Sequence, residues 1–114
     1  MSEATAPAAK RAKILVVDDD PFMRFVLSEI LETEHAVQLA ENGEMALAQC
    51  RRSKDFDLIV SDINMPGIGG LVLIEKLRGA GIETPIIVLS GNNEISTALS
   101  AIKSGAGDYL LKDE

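Results

Sequence analysis

The apolar pattern of this chain changes period again and again, and that alternation limits the folds open to it. Ile14 to Val17, Leu58 to Ser61 and Ile86 to Leu89 are short, continuous and largely β-branched, as strands buried on both faces are. Pro85 opens the last of these. Ala36 to Ala40 alternates weakly and reads as a more exposed strand; Asp108 to Leu111 reads as a short fifth one. Between them apolar residues recur at helical spacing. Phe22, Phe25, Val26 and Ile30 mark a first helix, with Asp20 as N-cap and Pro21 at its first position. Met45, Leu47 and Ala48 mark a second, over Glu44 to Arg52. Leu71, Leu73, Ile74 and Leu77 follow Gly70 in a third, stopped by Gly79 and Gly81. Ile95, Leu99 and Ile102 mark a fourth, stopped by Gly105. Met23 and Met45 read as core fillers.

Four strand–helix units and a final strand predict an α/β fold with a doubly wound, five-stranded parallel sheet. Right-handed crossovers favour the flavodoxin-like order 2-1-3-4-5, with strands 1 and 3 adjacent at the switch point. Ligands in such sheets bind outside the carboxyl ends of the strands. Those ends carry chemistry here: Asp18-Asp19-Asp20 after the first, Asp62 at the third, Ser90-Gly91 at the fourth and Lys112 after the fifth. Strands 1, 3, 4 and 5 are neighbours in this order, so Asp18, Asp19, Asp62, Ser90 and Lys112 can converge.

Length and charge narrow the partners. The chain has 114 residues, enough for one domain, and 46% are apolar, enough for a core. A formal net charge of −7 argues against direct nucleic acid or anionic membrane binding. No apolar run approaches a membrane span. Cys50 is the single cysteine, which excludes an internal disulfide, makes a reducing compartment the default and reads as a packing residue. Residues 1–12, rich in Ala, read as a flexible tail without the apolar stretch of a signal peptide, and residues 13–114 as the domain. A cytoplasmic location is the matching expectation.

Three carboxylates in one cleft raise each other's pKa unless a cation sits among them. All-oxygen donors suit Mg²⁺ or Mn²⁺ rather than zinc. Mg²⁺ binds at about 2.0–2.1 Å through a few carboxylates and keeps several waters. With Lys112 as a second positive charge and Ser90 as a donor, the set describes phosphoryl transfer to a carboxylate, with Asp62 attacking in line.

Four segments then carry a family resemblance: Ile14 to Pro21; Leu58 to Pro66, with Gly70 eight residues after Asp62; Pro85 to Gly91; and Lys103 to Lys112. Together, in this order, they resemble the receiver domain of two-component response regulators over Lys13 to Lys112. The resemblance implies that Asp62 accepts a phosphoryl group from a histidine kinase or phosphotransfer protein, and that the change reaches an output domain or partner protein. It implies Asp19 as a direct Mg²⁺ ligand beside Asp62, Asp18 acting through water, and the backbone carbonyl of Asn64 as a further ligand. Lys112 resembles the lysine that pairs first with the acceptor and then with phosphoryl oxygens. Ser90 resembles the hydroxyl that moves inward to them, and Tyr109 the aromatic switch behind it. Enzymatic turnover is not implied beyond self-phosphorylation and self-dephosphorylation.

Two departures stand out. Asp113 occupies the place where the family usually has a proline, often after a cis bond. A fifth helix expected beyond Glu114 is absent from the sequence, which predicts exposed apolar surface on strands 1, 3 or 5. A fragment of a longer protein, or a homodimer covering the gap, accounts for that. Two other functions compete. One is a receiver-like binding module that is never phosphorylated. The other is a Mg²⁺-dependent phosphatase of the haloacid dehalogenase type, for which Phe22 stands where Thr or Val is expected.

Simpler readings hold for several residues. Asp20 is a cap. Met65-Pro66-Gly67 is a turn without chemistry. His35 is a surface residue. Arg51 to Asp55 is a solvated helix end, its basic residues favoured by the helix dipole.

Overall fold

The computed structural model describes residues 11–112. Its strands are β1 (Lys13–Val17), β2 (Ala36–Ala40), β3 (Leu58–Asp62), β4 (Ile86–Ser90) and β5 (Asp108–Leu111). The α-helices among them are α1 (Pro21–Leu31), α2 (Gly43–Arg52), α3 (Gly70–Gly79) and α4 (Ile95–Lys103); a 3₁₀ turn, Asn92–Glu94, precedes α4. All strand pairs are parallel, in the order β2-β1-β3-β4-β5. The fold class and strand order expected from the periodicity are those observed.

Local chemistry explains the element ends. The Asp20 side chain accepts from the Phe22 N–H while Pro21 fills the first turn, where its missing donor costs nothing. Asn42 caps α2 by accepting from the Met45 N–H, and Arg51 and Arg52 close it where the dipole favours cations. Gly67 takes φ 76°, a left-handed backbone that lets the Pro66–Gly67 turn return the chain to α3.

The sheet separates two unequal apolar layers. On one face Leu15, Val17, Ile59, Ile86 and Val88 pack with buried residues of α2, α3 and α4. Cys50 belongs to this layer, and its burial pushes the thiol pKa up, as suits a packing residue. On the other face Ile14, Val16, Val60 and Leu89 lie against Leu27 and Leu31 of α1.

Two expectations are corrected here, and a third is met in part. Met45 is 41% exposed and Met23 only half-buried, because α1 buries no residue fully and α2 turns Ala46 and Cys50 inward instead. Surface left apolar does not fall on β1 or β3, whose central position leaves Ile14, Val16 and Val60 buried. Of the three strands named, it falls on β5, at Leu110 and Leu111, as expected; α1 is exposed too, at Phe22, Phe25 and Ile30. His35 is half-buried, and its Nδ1 accepts the Ala12 N–H at 3.1 Å. Residues 1–10 of the expected tail, Asp113, and the chain end at Glu114 lie outside the described residues.

Candidate functional site

Sheet register brings the site together. Val17 pairs with Ser61, Asp62 with Leu89, and Ser90 with Leu111. Asp18 and Lys112 follow directly on β1 and β5, so both extend over the same edge as Asp62. The Lys112 N–H donates to the Ser90 carbonyl at 2.8 Å, which fixes the root of the lysine beside β4.

From there the ammonium reaches inward. Lys112 Nζ lies 3.0 Å from Asp62 Oδ1 and 3.9 Å from Asp18 Oδ2. Only the first is a hydrogen-bonding distance. Asp18 is fully buried; its Oδ1 accepts the Asp20 N–H at 3.0 Å, while Oδ2 is buried with no hydrogen-bond partner. Arg24 of α1 donates to the Asp18 backbone carbonyl at 2.8 Å and holds that residue from behind. Asp62 is also buried, and its Oδ1 faces the Asn64 N–H at the long distance of 3.5 Å. Asp19 is exposed at the rim.

Burial, first of all, raises the pKa of both Asp18 and Asp62. At Asp18 the hydrogen bond from Asp20 opposes that rise; at Asp62 the hydrogen bond and charge of Lys112 oppose it. Burial pulls the Lys112 pKa down, yet Asp62 and Asp18 outweigh it and leave the net shift upward. Lys112 is therefore an ammonium throughout the physiological range.

One ammonium cannot satisfy this set. Asp18, Asp19 and Asp62 each offer a carboxylate oxygen within 4.8 Å of the others. The oxygen-only donors, the unpartnered Asp18 Oδ2 and the excess negative charge fit a hard divalent cation such as Mg²⁺. A close approach supports this corner: a Cβ at Gly70 would lie 2.8 Å from the Asp62 carbonyl and 3.0 Å from Ile63 Cα. Only glycine lets α3 begin so near the end of β3.

Ser90 is fully buried at the end of β4, and its hydroxyl donates to the Gly91 carbonyl at 3.0 Å. Tyr109 is half-buried and packs on the larger apolar layer. The structure thus joins Asp18, Asp19, Asp62 and Lys112 directly, and sets Ser90 beside them through the backbone.

Two supporting residues escaped the sequence reading. Arg24 left no signal, since a basic residue in a first helical turn has no distinctive spacing. Glu94 left one: a Glu three residues after Gly91 has the spacing from which a carboxylate reaches back to the N–H at a helix start.

Residues 14–114 match the family described as response regulator receiver domain. The chain is 39% identical, over 96% of its length, to the two-component response regulator ORR23 of Oryza sativa subsp. indica, and spans 17% of it. It is 37% identical, over 90% of its length, to the nitrate/nitrite response regulator protein NarL of Escherichia coli (strain K12), and spans 48% of it. Among solved structures, chemotaxis protein CheY4 of Vibrio cholerae aligns with a TM-score of 0.81 at 30% identity, covering 91% of this chain and 88% of that one. The receiver domain of NtrX from Brucella abortus aligns with a TM-score of 0.81 at 35% identity, covering 89% and 86%. The chain spans less than half the length of those two curated relatives. With this sheet order, this acidic cleft and this family match, the chain belongs to the response regulator receiver domains.

Proposed function

We propose that this domain accepts a phosphoryl group on Asp62, with a divalent cation bound, and passes the change to an output surface. The observation that carries the reading is the Lys112–Asp62 contact of 3.0 Å beside the unpartnered Asp18 Oδ2. A cation held by Asp19, Asp62 and the Asn64 carbonyl, with Asp18 acting through water, would supply positive charge to neutralise the phosphoryl oxygens. Burial keeps water sparse around Asp62, so its carboxylate competes well as nucleophile in line with the departing group. Lys112 sits where it can leave the carboxylate for a phosphoryl oxygen. Ser90 can exchange its bond to Gly91 for one to the phosphoryl group, a contact available only in the modified state. Contacts that differ between two states shift a population, and Tyr109 on β5 is the aromatic group placed to follow Ser90.

The donor would be a histidine kinase or phosphotransfer protein, and the recipient an output domain or partner protein. The family reading is that of a signalling domain rather than a turnover enzyme. A cytoplasmic setting fits that role; among the described residues no helix is long and apolar enough to cross a membrane.

Incubation with Mg²⁺ and a small phosphodonor, followed by peptide mapping, tests the reading. One phosphoryl group on the peptide containing Asp62 supports it. Modification at Asp18 with steady turnover would point to the phosphatase, and a folded, Mg²⁺-binding but unmodified protein to the binding module.

A further inference from the structure

The loop that carries Ser90 is clasped at one residue from three sides. Gly91 donates its N–H to Glu94 Oε1 at 2.9 Å. Its carbonyl accepts the Glu94 N–H at 3.0 Å and the Ser90 hydroxyl at 3.0 Å. Glu94 therefore holds Gly91 by side chain and backbone at once: its carboxylate takes the Gly91 N–H, as in one half of a capping box, and its own N–H goes to the Gly91 carbonyl, since glycine has no side chain to accept it. The same carbonyl that Glu94 holds also retains the Ser90 hydroxyl.

We propose that Glu94 is a positioning residue that latches the β4–α4 loop and so retards the movement of Ser90 toward a phosphoryl group on Asp62. The inference rests on the function proposed above and names a control on that site. Ser90 is fully buried at the end of β4, and its carbonyl is tied to the Lys112 N–H. With the strand fixed on that side, the freedom left to the hydroxyl lies in its own rotation and in the loop beyond. Glu94 restrains the loop. A bond from a backbone N–H to a carboxylate is among the stronger neutral-to-charged contacts.

A latch and a plain charge effect predict different variants. Glu94→Gln keeps a side-chain oxygen to accept the Gly91 N–H; Glu94→Ala removes it. The test is the initial rate of phosphoryl incorporation in the full chain, with acetyl phosphate and saturating Mg²⁺, followed by intact mass. The latch predicts that E94A incorporates about three- to tenfold faster than the parent, the range of one partly exposed charged hydrogen bond, while E94Q stays close to the parent. Equal acceleration in E94A and E94Q would assign the effect to charge and overturn the latch. A parent that is modified while E94A keeps the parent's rate, with only a lower melting temperature, makes Glu94 a structural cap and also overturns it. A parent with no incorporation overturns the function itself, and the latch with it. Should E94A fail to fold, hydrogen exchange at the Gly91 amide of the parent decides. Slow exchange that quickens on phosphorylation supports the latch, and exchange unchanged by phosphorylation contradicts it.

Discussion

Lys112 Nζ stands 3.0 Å from Asp62 Oδ1 and 3.9 Å from Asp18 Oδ2, so one ammonium serves two buried carboxylates at unequal range. Its removal leaves both without a cation. Lys112→Ala should therefore destabilise the metal-free protein by about 1–3 kcal/mol, less than a fully buried pair because the lysine is partly exposed. Mg²⁺ should still bind, and should raise the melting temperature of the variant more than that of the parent. Phosphorylation-driven change should be blunted. Thermal melts with chelator and with Mg²⁺ check the first two points, and equal responses to phosphodonor in variant and parent would sink the third.

The pH dependence of the metal-free protein follows from the raised pKa values of Asp18 and Asp62. A group whose folded pKa exceeds its unfolded value adds stability that is fully present below the unfolded pKa, near 3.8 for both. That stability is lost as pH rises through the folded pKa. At neutral pH the ionised Asp18 is thus a liability. Asp18→Asn keeps an acceptor for the Asp20 N–H and removes the charge. In chelator at pH 7 it should stabilise the fold by about 1 kcal/mol, a rise of about 4–8 °C. The advantage should shrink as pH falls toward the unfolded value. Parallel melts across pH measure this; a variant no more stable than the parent at pH 7 contradicts the account.

Gly70 gives a steric test of how closely α3 must approach the acceptor strand. A Cβ there would meet the Asp62 carbonyl at 2.8 Å, and backbone cannot yield as a flexible side chain can. Gly70→Ala should cost about 1–3 kcal/mol by overpacking and slow modification of Asp62. Gly79→Ala is the control, since a Cβ at Gly79 meets nothing within 4 Å. Denaturant melts of the two variants should separate clearly.

Much of this was legible from the chain because local and global signals agree. β2 and β5 begin and end where the apolar pattern placed them, and Asp20-Pro21 announced the start of α1. The strand order followed from parallel connection rules, and that order alone brings Asp18, Asp62 and Lys112 to one edge. What stayed hidden depends on tertiary geometry. Periodicity located α1 but not its exposure: Phe22 and Phe25 repeat as core residues do, yet only Leu27 and Leu31 reach the sheet. Met45 is exposed for the same reason, since the small Ala46 and Cys50 take the inward face of α2. Arg24 acts on a carbonyl, which no residue pattern reveals. His35 gained its role from Ala12, a backbone donor 23 residues away.

The most direct measurement of the central claim is intact mass after exposure to a small phosphodonor, run on the parent and on Asp62→Asn, each with Mg²⁺ and with chelator. The cleft geometry predicts the mass of one phosphoryl group on the parent in Mg²⁺, little in chelator, and none on Asp62→Asn in either. Equal incorporation into the parent and Asp62→Asn, or none into a folded parent that binds Mg²⁺, would contradict it.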